Sequence, residues 1–453
     1  MSPPAEPLQD STVRELDRLA RQAQHDWRTP GLSVGVVRHG RLGWSAHVGS
    51  GRLDPAAPAD DDTQFLIGSV TKTFTAVVLM ALRDEGKLSL DAPLSTFLPG
   101  TRHGAVTVRQ VLAHASGLQR EPVGRIWEGL QPPDRDRLLR ELEDAEQVLP
   151  AHYAFHYSNL AYALLGEIVE QVDGRPWEEA VRARILRPLG MRHTGLVPDE
   201  QSRARGYYVH PHTGVPVEEP LVELAATAPV GGLWSTVADL GRYAAFLADP
   251  VEEVLRPDTV DEMCRPLIMI DPEEWTRAYG LGYDLQRVGG RVMAGHAGGM
   301  PGFVTGLRVR RSDGVGAVVF ANSTAGAEPL GLAGQLVAAV LDREPEADQV
   351  WQPSSPQPHL DGILGSWWTE GSEIVLEVRD DQLWARVPGG PKLSETRFEP
   401  DGLDRFRAVE GRERGELLEV VRDHEGLVDR LYFATYPMTR RPAAFADVAA
   451  RPT

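Results

Sequence analysis

The chain has one cysteine, Cys264, in 453 residues. No disulfide framework and no cysteine-rich metal site can form within one chain on that supply, and Cys264 reads as a small buried hydrophobe. Long apolar runs are missing as well. None reaches the roughly 18 residues that cross a bilayer, so no membrane span is expected. The opening stretch, MSPPAEPLQDSTVRELDRLARQ, has acidic residues early and no apolar signal core, which points to a cytoplasmic location. Basic charge is in deficit. The formal net charge is −18, which argues against nucleic acid and anionic membrane surfaces as partners. Oligomeric state is not legible at this level.

Lysine is the scarcest charged residue. Of 47 basic residues only Lys72, Lys87 and Lys392 are lysines, and the other 44 are arginines. Arginine stays protonated at any useful pH, whereas lysine can be tuned to give up its proton. A lysine where proton transfer is needed therefore carries information. Lys87 and Lys392 are read as lysines without a special task.

What is present reads as a globular chain, 42% hydrophobic and 25% charged. Helices are predicted over 12–28, 69–83, from Asn159 to Gly174, from Val237 to Ala248 and over 328–342, each on apolar residues recurring at helical spacing. A hairpin is expected to turn at His39-Gly40. Another is expected from Phe303, with Phe303, Thr305, Leu307 and Val309 on one face, turning at Ser312-Asp313-Gly314 into a strand over 315–321. Strands, then many helices, then strands suit an α+β domain. Its antiparallel sheet is built from both chain ends, with a mostly helical lobe inserted. Residues 343–359 are rich in Pro, Ser and Gln and read as a linker. Beyond them, 360–453 is dense in short strands and turns and reads as a small all-β domain. The organisation expected is thus 1–342, linker, 360–453.

Three short segments carry chemistry. Ser69-Val70-Thr71-Lys72 is an S-x-x-K motif at a helix start, which sets both side chains on one face. A serine hydroxyl needs a base within reach, and a desolvated lysine can serve as one. Tyr157-Ser158-Asn159 precedes the next helix. Ser158 or Asn159 suits its N-cap, Tyr157 could take the serine proton as a phenolate if cations flank it, and Asn159 can orient an amide. His296-Ala297-Gly298, crowded by Gly295, Gly299 and Gly302, is expected just before the first strand of the late hairpin, where glycine permits close approach to a ligand. His114 and Ser116 read as fixing a loop. His210-Pro211-His212 reads as a solvated loop, and Tyr279-Gly280-Leu281-Gly282 lacks the context of a nucleotide loop. No G-x-S-x-G elbow and no H-E-x-x-H zinc motif is found.

Taken together, Ser-x-x-Lys, Tyr-x-Asn and basic-x-Gly in that order resemble the penicillin-recognising serine hydrolases: class C β-lactamases, D-alanyl-D-alanine carboxypeptidases, D-aminopeptidases and β-lactamase-like esterases. The resemblance extends over EGKLSLDAPLSTFLPG, VTVRQVLAHASGL, RPLGMRHTG, GGLWSTVADLGRYAAFL and GHAGGMPGF, about residues 28–342. It implies Ser69 as the acylated nucleophile and Lys72 and Tyr157 as its proton-handling partners. It implies His296 as a further catalytic residue and Asn159, Ala297, Gly298 and Gly299 as substrate contacts. The amides of Ser69 and Gly299 would form an oxyanion hole. No metal and no cofactor are implied. The chain departs from Lys-Thr-Gly at its third motif, and His296-Ala297 weakens recognition of a free carboxylate. The expected reaction is therefore hydrolysis of small esters or amides, D-residue peptides among them. Carboxypeptidase or β-lactamase action stands second, and a non-catalytic binder of cell-wall fragments is the alternative of another class.

Overall fold

A computed structural model describes residues 7–446 except 325, 346–349, 354 and 356. Part of the stretch read as a linker, 343–359, therefore lies outside the described residues, as do 1–6 and 447–453. The chain divides into two compact units, residues 1–346 and 347–453.

The first unit is built on a nine-stranded antiparallel sheet. The chain's early strands, Gly31–Arg38 and Arg41–Leu53, lie beside its late ones, Val315–Ala321, Phe303–Arg310 and Arg291–Met300. Leu32 pairs with Ala321 and Val34 with Val319. Helices Asp10–Trp27 and Pro329–Arg343 bury Leu16, Ala20, Leu336 and Val337 against Val34 and Val319. Leu240 and Tyr243 of helix Val237–Ala248 join a larger core with Leu307 and Val318. The residues between the early and late strands form the mostly helical lobe.

At the centre of that lobe is helix Thr71–Asp84, in which every residue from Thr71 to Leu82 is buried. A helix enclosed on all sides must satisfy its own polar groups. Thr73 donates to the Val70 carbonyl at 2.8 Å, Thr75 donates to the Pro229 carbonyl at 2.9 Å, and Thr71 accepts the Leu233 amide at 3.2 Å. The helix expected over 69–83 begins two residues later, because Gly68–Val70 form a 3₁₀ turn. Helix Asn159–Asp173 starts on Ser158, whose hydroxyl accepts the Ala161 amide, and ends on Gly174 in the left-handed conformation.

Two expectations are corrected here. His296, Ala297 and Gly298 do not precede a strand but lie within one, Arg291–Met300, paired on both sides with Asp284–Val288 and Phe303–Arg310. Its glycines hide the alternation that marks a strand, and pairing with two neighbours supplies what propensity does not. Cys264 is half-buried rather than enclosed.

The second unit is an eight-stranded antiparallel meander from Gly365–Thr369 to Tyr436–Met438. A bridge between Trp368 and Thr439 joins its first strand to the end of its last, closing the sheet on itself. Its core includes Trp367, Leu376, Phe398, Phe406, Leu418 and Leu431. Among the described residues, no helix is long and apolar enough to cross a membrane.

Candidate active site

The 3₁₀ turn presents Ser69 at the head of the buried helix, and Lys72 one turn on points back at it. Lys72 Nζ donates to Ser69 Oγ at 2.9 Å and to the Val230 carbonyl at 3.0 Å. Lys72 is wholly buried. Burial drives its pKa well below that of a free lysine, Arg120 pushes the same way, and the Glu121 carboxylate opposes.

Tyr157 faces the same pair. Lys72 Nζ lies 4.9 Å from its ring centre and the Arg120 guanidinium 5.1 Å. Of the flanking groups, Arg120 acts on Tyr157 as a cation, yet the phenol pKa is raised. Desolvation outweighs the hydrogen bond with Ser69 and the field of Arg120. Tyr157 therefore rests as a protonated phenol.

The third segment closes the cleft from the sheet side. His296 Nδ1 faces the Ala297 carbonyl, which can only accept, so Nδ1 carries the proton and Nε2 accepts from Tyr279 Oη at 2.9 Å. Burial first, then Lys72, lower the His296 pKa to about 4. The glycines on either side of the cleft answer to backbone contact. A Cβ on Gly298 would stand 2.0 Å from the Ile67 carbonyl oxygen, and one on Gly68 would stand 2.6 Å from the Gly299 nitrogen. This close approach brings the Ser69 turn against the strand that carries Gly299. Asn159 Nδ2 donates to Glu121 Oε1 at 2.7 Å, while Asn159 Oδ1 is buried without a partner.

Ser69, Tyr157, Asn159, His296, Ala297, Gly298 and Gly299 all line one cleft of about 1050 Å³, with Lys72 beneath them. Ile126, Trp127, Leu224 and Met300 line a recess beside Ser69.

Several residues of this site were given no part in it by the sequence. Arg120 and Glu121 line the cleft, and no motif marks them. His114 lies behind Tyr157, with ring centres 4.2 Å apart, and its Nδ1 accepts the Ser158 amide at 3.1 Å. A positive φ of 53° at His114 bends its backbone to that contact. Tyr279 opens the Tyr-Gly-Leu-Gly stretch set aside as lacking a nucleotide-loop context, and it serves as the hydroxyl partner of His296. On the cleft floor, Asp284 binds Arg308 and Arg277 at 2.7 Å each. Gly295 pairs with both Asp284 and Arg308 and has no side chain to separate them.

Elsewhere Ser33 Oγ, His47 and Asp61 form a Ser–His–Asp relay with both contacts at 2.9 Å. Ser33 is wholly buried and Asp61 exposed, so that hydroxyl cannot meet a substrate.

Residues 16–342 match the Beta-lactamase family. The chain belongs to that family. Residues 356–440 match DUF7586, a domain of unknown function. Esterase EstB of Burkholderia gladioli is 32% identical over 275 residues, 54% of this chain and 69% of EstB. The D-aminopeptidase of Brucella canis is 24% identical over 423 residues, 91% of this chain and 78% of its own length. A solved D-stereospecific amidohydrolase from Streptomyces sp. is 26% identical with a TM-score of 0.61, covering 72% of this chain and 98% of that one. The chain spans 53% to 66% of the length of three further curated relatives. This chain of the Beta-lactamase family thus has esterase and D-aminopeptidase relatives.

Proposed function

We propose that residues 1–342 are the hydrolase domain and cleave small esters and amides through an acyl-enzyme on Ser69, with D-aminoacyl amides and peptides among the substrates. The observation that carries this reading is the 2.9 Å contact from Lys72, a desolvated amine, to the Ser69 hydroxyl. In its neutral form Lys72 accepts the Ser69 proton as Oγ attacks the carbonyl carbon. The amides of Ser69 and Gly299 hold the developing oxyanion, each such donor contributing about 3–4 kcal/mol in the transition state. Tyr157, resting protonated, passes a proton to the leaving group and is replenished through Lys72. Water then attacks the acyl carbon with the same groups acting in reverse.

Substrate choice follows from charge. Neutral His296 and the methyl of Ala297 offer nothing to a free carboxylate, Arg308 and Arg277 are already bound to Asp284, and Arg120, the third arginine of the cleft, lies 3.7 Å from Glu121. Glu121, beside Asn159 at the cleft wall, supplies a carboxylate for a substrate ammonium. The names of the D-aminopeptidase and amidohydrolase relatives agree with an aminoacyl substrate.

The test is one panel of p-nitrophenyl esters, D- and L-aminoacyl anilides and a chromogenic cephalosporin. Esters or D-aminoacyl anilides should exceed the cephalosporin by at least about tenfold in kcat/KM, the value of one hydrogen bond. The double variant His296→Lys with Ala297→Thr should narrow the gap. Efficient cephalosporin turnover by the unaltered chain would overturn this reading.

A further inference from the structure

The turn Gly280-Leu281-Gly282 leads out of strand Arg277–Tyr279 towards Asp284–Val288. Its glycines answer to close approach. A Cβ on Gly280 would stand 2.1 Å from the Met263 carbonyl oxygen, and one on Gly282 would stand 2.3 Å from Ala76 Cβ on helix Thr71–Asp84. The Leu281 amide donates to the Met263 carbonyl at 3.0 Å. The turn is thus pressed onto the helix that carries Lys72, and it sets the buried Tyr279 at the cleft wall. The His114 and Phe155 rings, with centres 4.8 Å and 5.6 Å from that of Tyr279, pack against it there.

Tyr279 meets the third segment where that segment has least support. Strand Arg291–Met300 pairs with Asp284–Val288 only as far as Gly295. From His296 onward Phe303–Arg310 is its one sheet neighbour among the described residues. Ala297, Gly298 and Gly299 bring no side chain beyond a methyl to hold the backbone. His296 supplies a further tie. Its Nδ1–H donates to the Ala297 carbonyl, which can only accept. Nε2 is left with a lone pair, and Tyr279 Oη donates to it at 2.9 Å. Both ring nitrogens are therefore spent within the chain, and neither is free for a substrate.

We propose that Tyr279 is a positioning residue: it holds His296 in the Nδ1–H form, which ties down the Ala297 carbonyl and so keeps the Gly299 amide aimed at the oxyanion formed on attack by Ser69. The part given to the Gly299 amide rests on the acyl-enzyme reading above. In this role His296 transfers no proton. The charged and titratable groups that face its ring are Lys72 from the nucleophile's helix, Tyr157 and His114 from the lobe, and Asp284 and Arg308 from the neighbouring strands. Lys72 and Arg308 disfavour a further cation there, and Asp284 favours one. The Tyr279 bond adds to the neutral side, because it needs the Nε2 lone pair.

The experiment uses the full chain with ¹⁵N-labelled histidine and the variant Tyr279→Phe, which keeps the ring against His114 and Phe155 and removes the hydroxyl alone. The ring nitrogen shifts of His296, assigned by their loss in His296→Ala, report which nitrogen carries the proton. In the unaltered chain it should be Nδ1 at pH 7. In Tyr279→Phe the imidazole, lowered to about 4 in the unaltered chain, should titrate at a higher pH. Its kcat for a p-nitrophenyl ester should fall about tenfold, the value of one hydrogen bond, with KM little changed. In the His296→Ala background the same change should cost nothing further. A proton on Nε2 in the unaltered chain, an unchanged kcat in Tyr279→Phe, or equal losses in both backgrounds would overturn the proposal. Fluorophosphonate labelling of the unaltered chain separates the two levels. A label on another serine would overturn the acyl-enzyme reading and the proposal with it, whereas a label on Ser69 with any of those three outcomes overturns the proposal alone.

Discussion

Lys72 Nζ stands 2.9 Å from Ser69 Oγ and 3.0 Å from the Val230 carbonyl, wholly enclosed. Among the described residues no carboxylate forms an ion pair with it, and burial depresses its pKa against the opposing field of Glu121. Lys72→Arg keeps the charge and loses the titratable base. It should be nearly as inactive as Lys72→Ala, a loss on the order of 10³-fold in kcat. In the unaltered chain the rate should rise with pH along a limb well below the pKa of free lysine. Retention of more than about a tenth of kcat by the arginine variant, under ~1.4 kcal/mol, would reduce Lys72 to electrostatic support.

Burial raises the Tyr157 pKa, and in the proposed mechanism Tyr157 acts first as an acid. A p-nitrophenolate leaves without protonation, whereas an amine must be protonated to leave. Tyr157→Phe should therefore cost far more with aminoacyl anilides bearing poor leaving groups than with p-nitrophenyl esters, roughly tenfold more. Equal losses on both substrates, measured side by side, would show that Tyr157 acts only in the attack step.

His114 accepts the Ser158 amide at 3.1 Å and backs the Tyr157 ring. His114→Phe keeps a ring but strands that amide, which should lower stability by about 1–3 kcal/mol and reduce kcat more than it raises KM. His114→Asn keeps an acceptor and tolerates the left-handed backbone, so it should lie closer to the unaltered chain on both counts. Denaturant unfolding and steady-state kinetics on the two variants check this. Equal kcat losses would contradict it.

Much of this site was legible in order along the chain. Ser69 and Lys72 stood out because lysine is so rare, and the helix from Asn159 to Gly174 announced both its ends. The contacts between distant segments were not legible. Glu121 meets Asn159, and Tyr279 meets His296, only through tertiary packing, and neither pairing has a fixed spacing to read. The strand Arg291–Met300 was obscured by its own glycines, of which Gly298 is required by the approach to Ile67. The pKa of Tyr157 was misjudged because flanking cations can be guessed from a motif, whereas the depth of burial cannot.

His296 links stability to pH. Its unfolded pKa is near 6.5 and its folded pKa about 4, so between those values the unfolded chain holds more protons. Stability from this group is full above about 6.5 and is lost as pH falls toward 4, by up to about 3 kcal/mol. His114, also lowered by burial, acts in the same direction. Unfolding free energies of the unaltered chain and His296→Gln between pH 4 and 7 should differ in slope, the variant being flatter. Parallel curves would contradict the buried neutral imidazole.

The central claim is a covalent acyl-enzyme on Ser69. Labelling with a fluorophosphonate, followed by intact-mass measurement and peptide mapping, tests it most directly. One adduct per chain on Ser69 is predicted. Ser69→Ala should take up no label, unfold at an unchanged temperature and lose about 10³-fold or more in ester turnover. An adduct on a different serine, or turnover retained by Ser69→Ala, would contradict the account.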